Sequence, residues 1–349
     1  MNKLKNFYNG LILCFGALLA GCASHKYINM LERIIKEEHS VVRVNEEYEG
    51  MYANYYASIQ GSMIEKKKIE LSKNRFVNLE IYRGGNTSSI ILLPTLGEPV
   101  SSLEKFSKEM ASYGHHVYAL DIEGFGESSG ERGEIIIEKI EEDISETIEY
   151  VKSQNCKRLI LAGTSIGGEF SLLYGAEGRY KNDIDGFIIH GVFAPSLNKH
   201  IDYRENFCEN SLGGFLIKSL SGGKLDMPYH LKKENFYNNR TDFKEILCDK
   251  DYVTEIGAEN YLKFIKYKPQ KPITSINKPI LFIVSKDDRM IPFKNSIEIY
   301  NKFKKENKKA ELYIPKGNDT NCGVPHMAFD TNYKEITMEI NNFLRSRLK

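Results

Sequence analysis

The alternation of apolar runs with amphipathic segments along this chain predicts an α/β fold: a mostly parallel central sheet flanked by helices, with a helical cap inserted after the sixth strand. Three observations carry that expectation. Six strand-like runs precede residue 195, and the last four are separated by segments of helical periodicity, the pattern of parallel strands joined by crossovers. Between two of these elements, Gly163-Thr164-Ser165-Ile166-Gly167 forms a G-x-S-x-G that leads from an apolar run, Leu159 to Ala162, into a helix-like segment. The rhythm then breaks between Pro195 and Pro272 and resumes beyond it.

The first segment reads as an address. Lys3 and Lys5 give a positive start, Leu11 to Ala20 a short apolar run, and Leu19-Ala20-Gly21-Cys22 follows. The run is too short to span a bilayer, so residues 1–21 read as a signal peptide. Small residues immediately before a cysteine resemble a bacterial lipobox, and that resemblance implies lipidation of Cys22. Several acyl chains there would hold the protein stably at the outer face of the cytoplasmic membrane or at an outer membrane, since one chain alone binds only marginally. Residues 22–62 are acidic and tyrosine-rich, with Ile28, Leu31, Ile34 and Ile35 at helical spacing, and read as a short helix and a tether.

The body comes next. Lys67 to Leu71 and Phe76 to Arg83 flank Ser72-Lys-Asn-Arg75, a turn composition, and predict an opening hairpin. Strands are expected at Ser89–Leu93, His116–Leu120, Leu159–Ala162 and Gly186–Val192. Helices are expected at Leu103–Tyr113 and from Ile136 through Ile140, Ile144, Ile148 and Val151. Residues 195–272 show glycine pairs, helix-like segments and aromatic residues (Phe207, Phe215, Tyr229, Phe236, Tyr237) but no convincing strand, and read as the cap. The core, 63–194, resumes over 273–349 with Pro279–Val284, Phe293–Phe303, Glu311–Ile314 and a last helix from Tyr333 to Leu348.

Composition narrows the chemistry. A formal net charge of +1 gives nucleic acid no purchase, and the lysines from Lys302 to Lys309 read as a solvated helix face. C-x-x-C, H-E-x-x-H and Walker patterns are absent from the sequence, and Gly124-x-Gly126 meets Ser129 where a dinucleotide fingerprint wants glycine, so neither metal nor cofactor is expected. Once Cys14 leaves with the signal and Cys22 is lipidated, Cys156, Cys208, Cys248 and Cys322 are left; Cys208 with Cys248 is the more plausible disulfide, and free thiols are slightly favoured.

A serine at a strand-to-helix elbow needs a base and an acid. Of eight histidines only His326 follows His230, between the last expected strand and helix, where the order Ser, Asp, His puts the base. Ile280 to Pro292 ends a strand with Asp287 and Asp288; the D-x-x-I-P spacing favours Asp288, with Asp287 left as the alternative. A lone loop histidine or turn aspartate is structural more often than not, so the joint order with Ser165 carries the argument.

From about Lys67 to its end the chain resembles the α/β-hydrolase group of monoacylglycerol lipases, lysophospholipases and serine aminopeptidase-like hydrolases. The resemblance rests on Leu96-Gly97-Glu98, Asp121-Ile-Glu-Gly-Phe-Gly-Glu-Ser128 with Gly130-Glu-Arg132, the elbow at Ser165, Asp288-Arg-Met-Ile-Pro292 and His326. It implies an α/β-hydrolase fold, a Ser165, His326, Asp288 triad, and an oxyanion hole from the backbone N–H groups of Leu96 and Ile166. The group's H-G-x-G-E loop is Pro94-Thr-Leu-Gly-Glu98 here, so Pro-Thr replaces His-Gly. The expected function is cleavage of a carboxylic ester, a lysophospholipid or monoacylglycerol, by a membrane-anchored enzyme. The alternatives are a peptidase or thioesterase of the same fold, or a non-catalytic lipid-binding lipoprotein. Oligomeric state is not legible.

Overall fold

In a computed structural model, residues 64–72, 74–85, 87–197, 223–226, 251–317 and 324–348 are described. The expected signal peptide, Cys22 and the tether lie outside those residues, as do most of the cap and Cys208, Cys248 and Cys322.

The first hairpin is β1 (Glu65–Ser72) and β2 (Arg75–Tyr82), which pair antiparallel around Asn74 at φ 64°; Phe76, Val77, Ile81 and Tyr82 give β2 its β propensity, while β1 is largely charged and exposed. Asparagine is among the few residues that tolerate this left-handed region. β1 is the sheet's outer edge, and exposed Lys66, Lys67 and Lys68 guard it against pairing with another chain. β3 (Ser88–Leu93), β4 (His115–Asp121), β5 (Leu159–Thr164), β6 (Gly186–His190), β9 (Ile280–Ile283) and β10 (Ala310–Tyr313) complete an eight-stranded sheet of order β1-β2-β4-β3-β5-β6-β9-β10. From β4 onward every pair in that order is parallel, while β1/β2 and β2/β4 are antiparallel.

The central strands β3, β5, β6 and β9 read as apolar, fully buried runs because helices cover both faces. Alternation still sorts their side chains: Ile91, Leu93, Leu161, Phe187 and Ile189 enter one core, Ile90, Leu92, Ile160, Ala162 and Ile188 the other. α1 (Glu104–Ser112) and α7 (Tyr333–Arg347) cover the second face with Phe106, Met110, Ile336, Ile340, Phe343 and Leu344. α2 (Ile137–Ser153), α3 (Ile166–Glu177) and α5 (Phe293–Glu306) cover the first. The stripe Ile140, Ile144, Ile148 and Val151 of α2 is buried as its spacing predicts, each side chain worth about 1.5–3 kcal/mol of burial.

The insertion departs from expectation. It contains a two-stranded antiparallel sheet, β7 (Lys224–Asp226) with β8 (Glu255–Gly257), followed by α4 (Ala258–Lys266). Three-residue strands are too short to display alternation, so the sequence carried no signal for them. The end of the insertion is stitched to core loops: Val253 N–H donates to the Gly97 carbonyl at 2.8 Å, and Gly257 N–H to the Gly133 carbonyl at 3.0 Å. The lysine run also does more than face solvent. Lys302 Nζ donates to the Leu197 carbonyl, and Lys304 Nζ donates to the carbonyls of Lys308 and Ala310 beyond the end of α5. Among the described residues no helix is long and apolar enough to cross a membrane.

Candidate active site

The carboxyl ends of β3, β5, β6 and β9 lie side by side on one edge of the sheet, the edge where parallel α/β sheets place their sites. At the end of β5, Ser165 takes φ 54° and ψ −121°, a conformation that costs a non-glycine residue about 1–3 kcal/mol. Close packing around it enforces the turn. A β-carbon on Gly163 would lie 2.3 Å from the backbone of Gly167, and one on Gly167 would lie 2.4 Å from the Leu93 carbonyl oxygen, so only glycine fits at either position. Ser165 N–H donates to the His190 carbonyl at 2.8 Å, which ties the strained residue to β6. Its side chain stands at the start of α3, whose dipole favours negative charge there.

His326 lies between β10 and the short helix α6 (Ala328–Thr331) and is buried. Its Nδ1 is 2.8 Å from Oδ2 of Asp288, in the loop after β9. Asp288 Oδ1 accepts the N–H groups of Met290 and Ile291, each at 2.8 Å, which fixes the carboxylate. Burial works against its ionisation, but His326 and the Ile291 N–H outweigh burial and hold it below the usual carboxylate range. Asp287 does something else: its Oδ2 accepts the N–H of Val324 at 3.2 Å and so anchors the backbone just before His326.

The segment from Pro94 turns at Thr95 to Glu98, closed by the Glu98 N–H to the Thr95 carbonyl at 3.1 Å with Gly97 at φ 84°. Leu96 sits inside this turn and Ile166 is the first residue of α3, whose N–H has no partner within the helix. Both side chains belong to the same buried cluster. The tight contact of Gly167 with the Leu93 and Pro94 carbonyls sets the start of α3 directly against the start of this loop.

The stretch Asp121 to Ser128 forms a clasp. Fully buried Asp121 accepts Asn78 Nδ2, Val100 N–H and Glu127 N–H, joining β2, the segment after Glu98 and its own loop. Burial pushes its carboxyl up to about 7 in spite of those donors. Gly126, at φ 50°, makes room for it, since a β-carbon there would fall 2.0 Å from Asp121 Cγ. Arg132 extends the clasp to the insertion through Gly126 and Asp251 carbonyls.

Sequence reasoning passed over His190 and Gly191. At φ 59°, Gly191 faces the histidine and aspartate so closely that a β-carbon would lie 3.1 Å from His326 Cε1 and 3.7 Å from Asp288 Oδ2. The signal was there in Ile188-Ile-His-Gly191: a histidine and a glycine where a strand adjoining the elbow ends. A cavity of about 480 Å³ lies elsewhere, between the loop after β4 and the insertion, lined by Glu123, Glu131, Glu134, Lys139, Glu259 and Asn260 among others. Cys156 is a half-buried free thiol whose pKa burial raises, which makes it a poor nucleophile. Among the described residues no group of histidine, cysteine, aspartate or glutamate side chains is set to hold a metal.

A family model described as serine aminopeptidase, S33, matches residues 85–315. An Escherichia coli protein, described as an uncharacterised 31.7 kDa protein of the traX-finO intergenic region, is 23% identical over 214 residues, 56% of this chain and 70% of that protein. A soluble variant of the Saccharomyces cerevisiae monoglyceride lipase, solved with a substrate analogue, superposes with a TM-score of 0.63 at 16% identity over 82% of this chain and 97% of that one. The monoacylglycerol lipase of Paleococcus ferrophilus gives a TM-score of 0.56 at 18% identity over 81% of this chain and 100% of that one. At such identity the two structures speak for the fold.

Proposed function

Since the chain belongs to the serine aminopeptidase S33 family of α/β-hydrolases and is thereby a serine hydrolase, we propose that it cleaves carboxylic esters of lipid-like substrates, lysophospholipids or monoacylglycerols, at a membrane to which Cys22 anchors it. One observation carries the catalytic part: a serine held in a strained elbow at a helix start, on the same sheet edge as a buried histidine paired to a carboxylate.

The reaction proceeds by acyl transfer. With Nδ1 of His326 turned to Asp288, Nε2 takes the proton of Ser165 as Oγ bonds to the ester carbonyl carbon. The N–H groups of Leu96 and Ile166 hold the oxyanion, a term worth about 3 kcal/mol per donor. When the bond to the leaving oxygen breaks, His326 returns its proton to that oxygen. Water then attacks the acyl-enzyme, again deprotonated by His326, and releases the acid and free Ser165. Asp288 stays ionised throughout and stabilises the imidazolium. The lipid preference is supported by the aromatic sequence of the insertion, by the lipobox-like run before Cys22 and by the lipases that share the fold.

The test is a substrate panel on delipidated full-length protein, beside labelling by a fluorophosphonate. Long-chain monoacylglycerol and lysophospholipid should be hydrolysed faster than short soluble esters. Hydrolysis of soluble esters alone would sink the lipid assignment, and cleavage of aminoacyl anilides alone would make the enzyme a peptidase. A folded protein that neither labels nor cleaves any ester would be a binding protein. For the anchor, Cys22→Ala should move the protein from the membrane fraction to the soluble one and abolish incorporation of an alkynyl palmitate.

A further inference from the structure

One side chain outside the proposed triad touches the carriers of all three of its members. His190 ends β6, in register with Thr164 at the end of β5 and Ile283 at the end of β9. Its Nδ1 is 2.9 Å from Thr164 Oγ1, the residue before the nucleophile, and its Nε2 is 3.2 Å from Ser285 Oγ, three residues before Asp288. Its ring stacks on Phe329 at 5.1 Å and 25°, three residues after His326, and lies 6.2 Å from the His326 ring itself. Its carbonyl accepts the Ser165 N–H. The next residue, Gly191, leaves no gap between this strand end and the His326–Asp288 pair.

We propose that His190 is a positioning residue for ester hydrolysis: a neutral imidazole strut that spans the nucleophile and acid strands and backs the base, fixing the three against one another. The proposal rests on the reading of Ser165, His326 and Asp288 as the triad.

The chemistry suits an imidazole better than other residues of its size. A neutral ring has one N–H and one lone pair on opposite sides, and a hydroxyl can answer either, so both tautomers are satisfied between Thr164 and Ser285. A phenyl ring would fill the space and keep the Phe329 stack but brace neither strand. A cation would repel the imidazolium that forms on His326. Complete burial, with His326 adding to it, keeps His190 neutral, its pKa pushed down to about 3 against the pull of Asp288.

The experiment compares the parent with His190→Phe and with the double variant Thr164→Val, Ser285→Ala, which leaves the ring and removes its two partners. All rates are divided by the concentration of fluorophosphonate-reactive sites, so loss of folded protein does not enter. Both variants should lose about 10- to 100-fold in kcat with KM changed less than about two-fold, since the strut acts on geometry and not on substrate. Adding His190→Phe to the double variant should cost little more, the mark of one shared network. Unchanged kcat in the double variant would overturn the proposal and leave His190 as core packing. Should His190→Phe fail to fold, the double variant decides alone. A parent that neither labels nor hydrolyses any ester fails at the earlier step, and the hydrolase reading falls with the strut.

Discussion

Two serine–histidine sets sit on this sheet, at opposite ends of its strands. At the carboxyl edge are Ser165, His326 and Asp288. At the amino edge, Ser88 at the start of β3 lies 2.7 Å from Nδ1 of His115 at the start of β4, and His115 Nε2 lies 3.2 Å from Oδ1 of Asn341 on α7. Burial does not separate them, for all six residues are less than 10% exposed. Charge and backbone do. Asp288 is held ionised against His326, whereas Asn341 offers an amide that cannot neutralise an imidazolium. Burial lowers the pKa of His115, and nearby Arg345 lowers it further. Ser88 sits in regular strand, while Ser165 is forced out at a helix start. The same residue types thus give the proposed triad, with its ionised carboxylate, at one end and a satisfied polar plug at the other.

The sharpest way to break this contrast is to remove each serine. Ser165→Ala should lower kcat/KM by about 10⁴-fold or more and abolish fluorophosphonate labelling, while Ser88→Ala should stay within about two-fold. Labelling that survives Ser165→Ala would relocate the nucleophile. A finer cut lies between the neighbouring aspartates. Asp288→Asn should cost on the order of 10³-fold through the lost imidazolium partner, while Asp287→Asn, which keeps an oxygen for the Val324 N–H, should cost less than about three-fold. Equal losses would mean that the loop, and not the charge, matters. At the amino edge the effect should be on stability alone. His115→Ala leaves two buried polar groups without their partner and should destabilise by about 2–4 kcal/mol in urea, with kcat per labelled site unchanged.

The parallel sheet could be read from the sequence because both its faces are covered, so its strands are short apolar runs and its helices carry stripes such as Ile140 to Val151. The elbow could be read because steric necessity demands glycine at 163 and 167. Order along the chain pointed to His326 and to two aspartates, and the hydrogen bond from His326 goes to Asp288. What lay hidden depends on contacts between strands far apart in sequence. His190 meets Ser285 across 95 residues, and no local pattern marks that pairing. The function of Asp121 as a clasp was also hidden, because its partners Asn78 and Val100 come from separate elements. Ser88 and His115 show the converse hazard: residue types that promise chemistry and instead close a core.

Titration offers the last and smallest distinction between the two edges. One turn beyond Ser165, fully buried Glu169 accepts the Ala194 N–H at 3.0 Å, and burial raises its pKa to about 8 from an ordinary 4.5. The unfolded chain releases this proton near pH 4.5 and the folded one only near 8, so the stability the protonated acid contributes is complete below 4.5 and lost as pH climbs through 8. His115 acts with the opposite sign: its lowered pKa means that the unfolded chain takes up a proton first, so its contribution is lost as pH falls below 6.5. The alkaline loss thus falls at the carboxyl edge, while both edges lose stability in acid, through His115 at one and through His190 and Asp288 at the other. Glu169→Gln keeps an oxygen for the Ala194 N–H and removes the alkaline loss. It should leave stability near pH 5 almost unchanged and raise it at pH 9 by on the order of 2 kcal/mol in urea denaturation. An equal shift at both pH values would mean that the glutamate acts through packing, and the alkaline weakness would then have to be sought at Asp121 or Asp143, the other buried carboxyls raised to about 7.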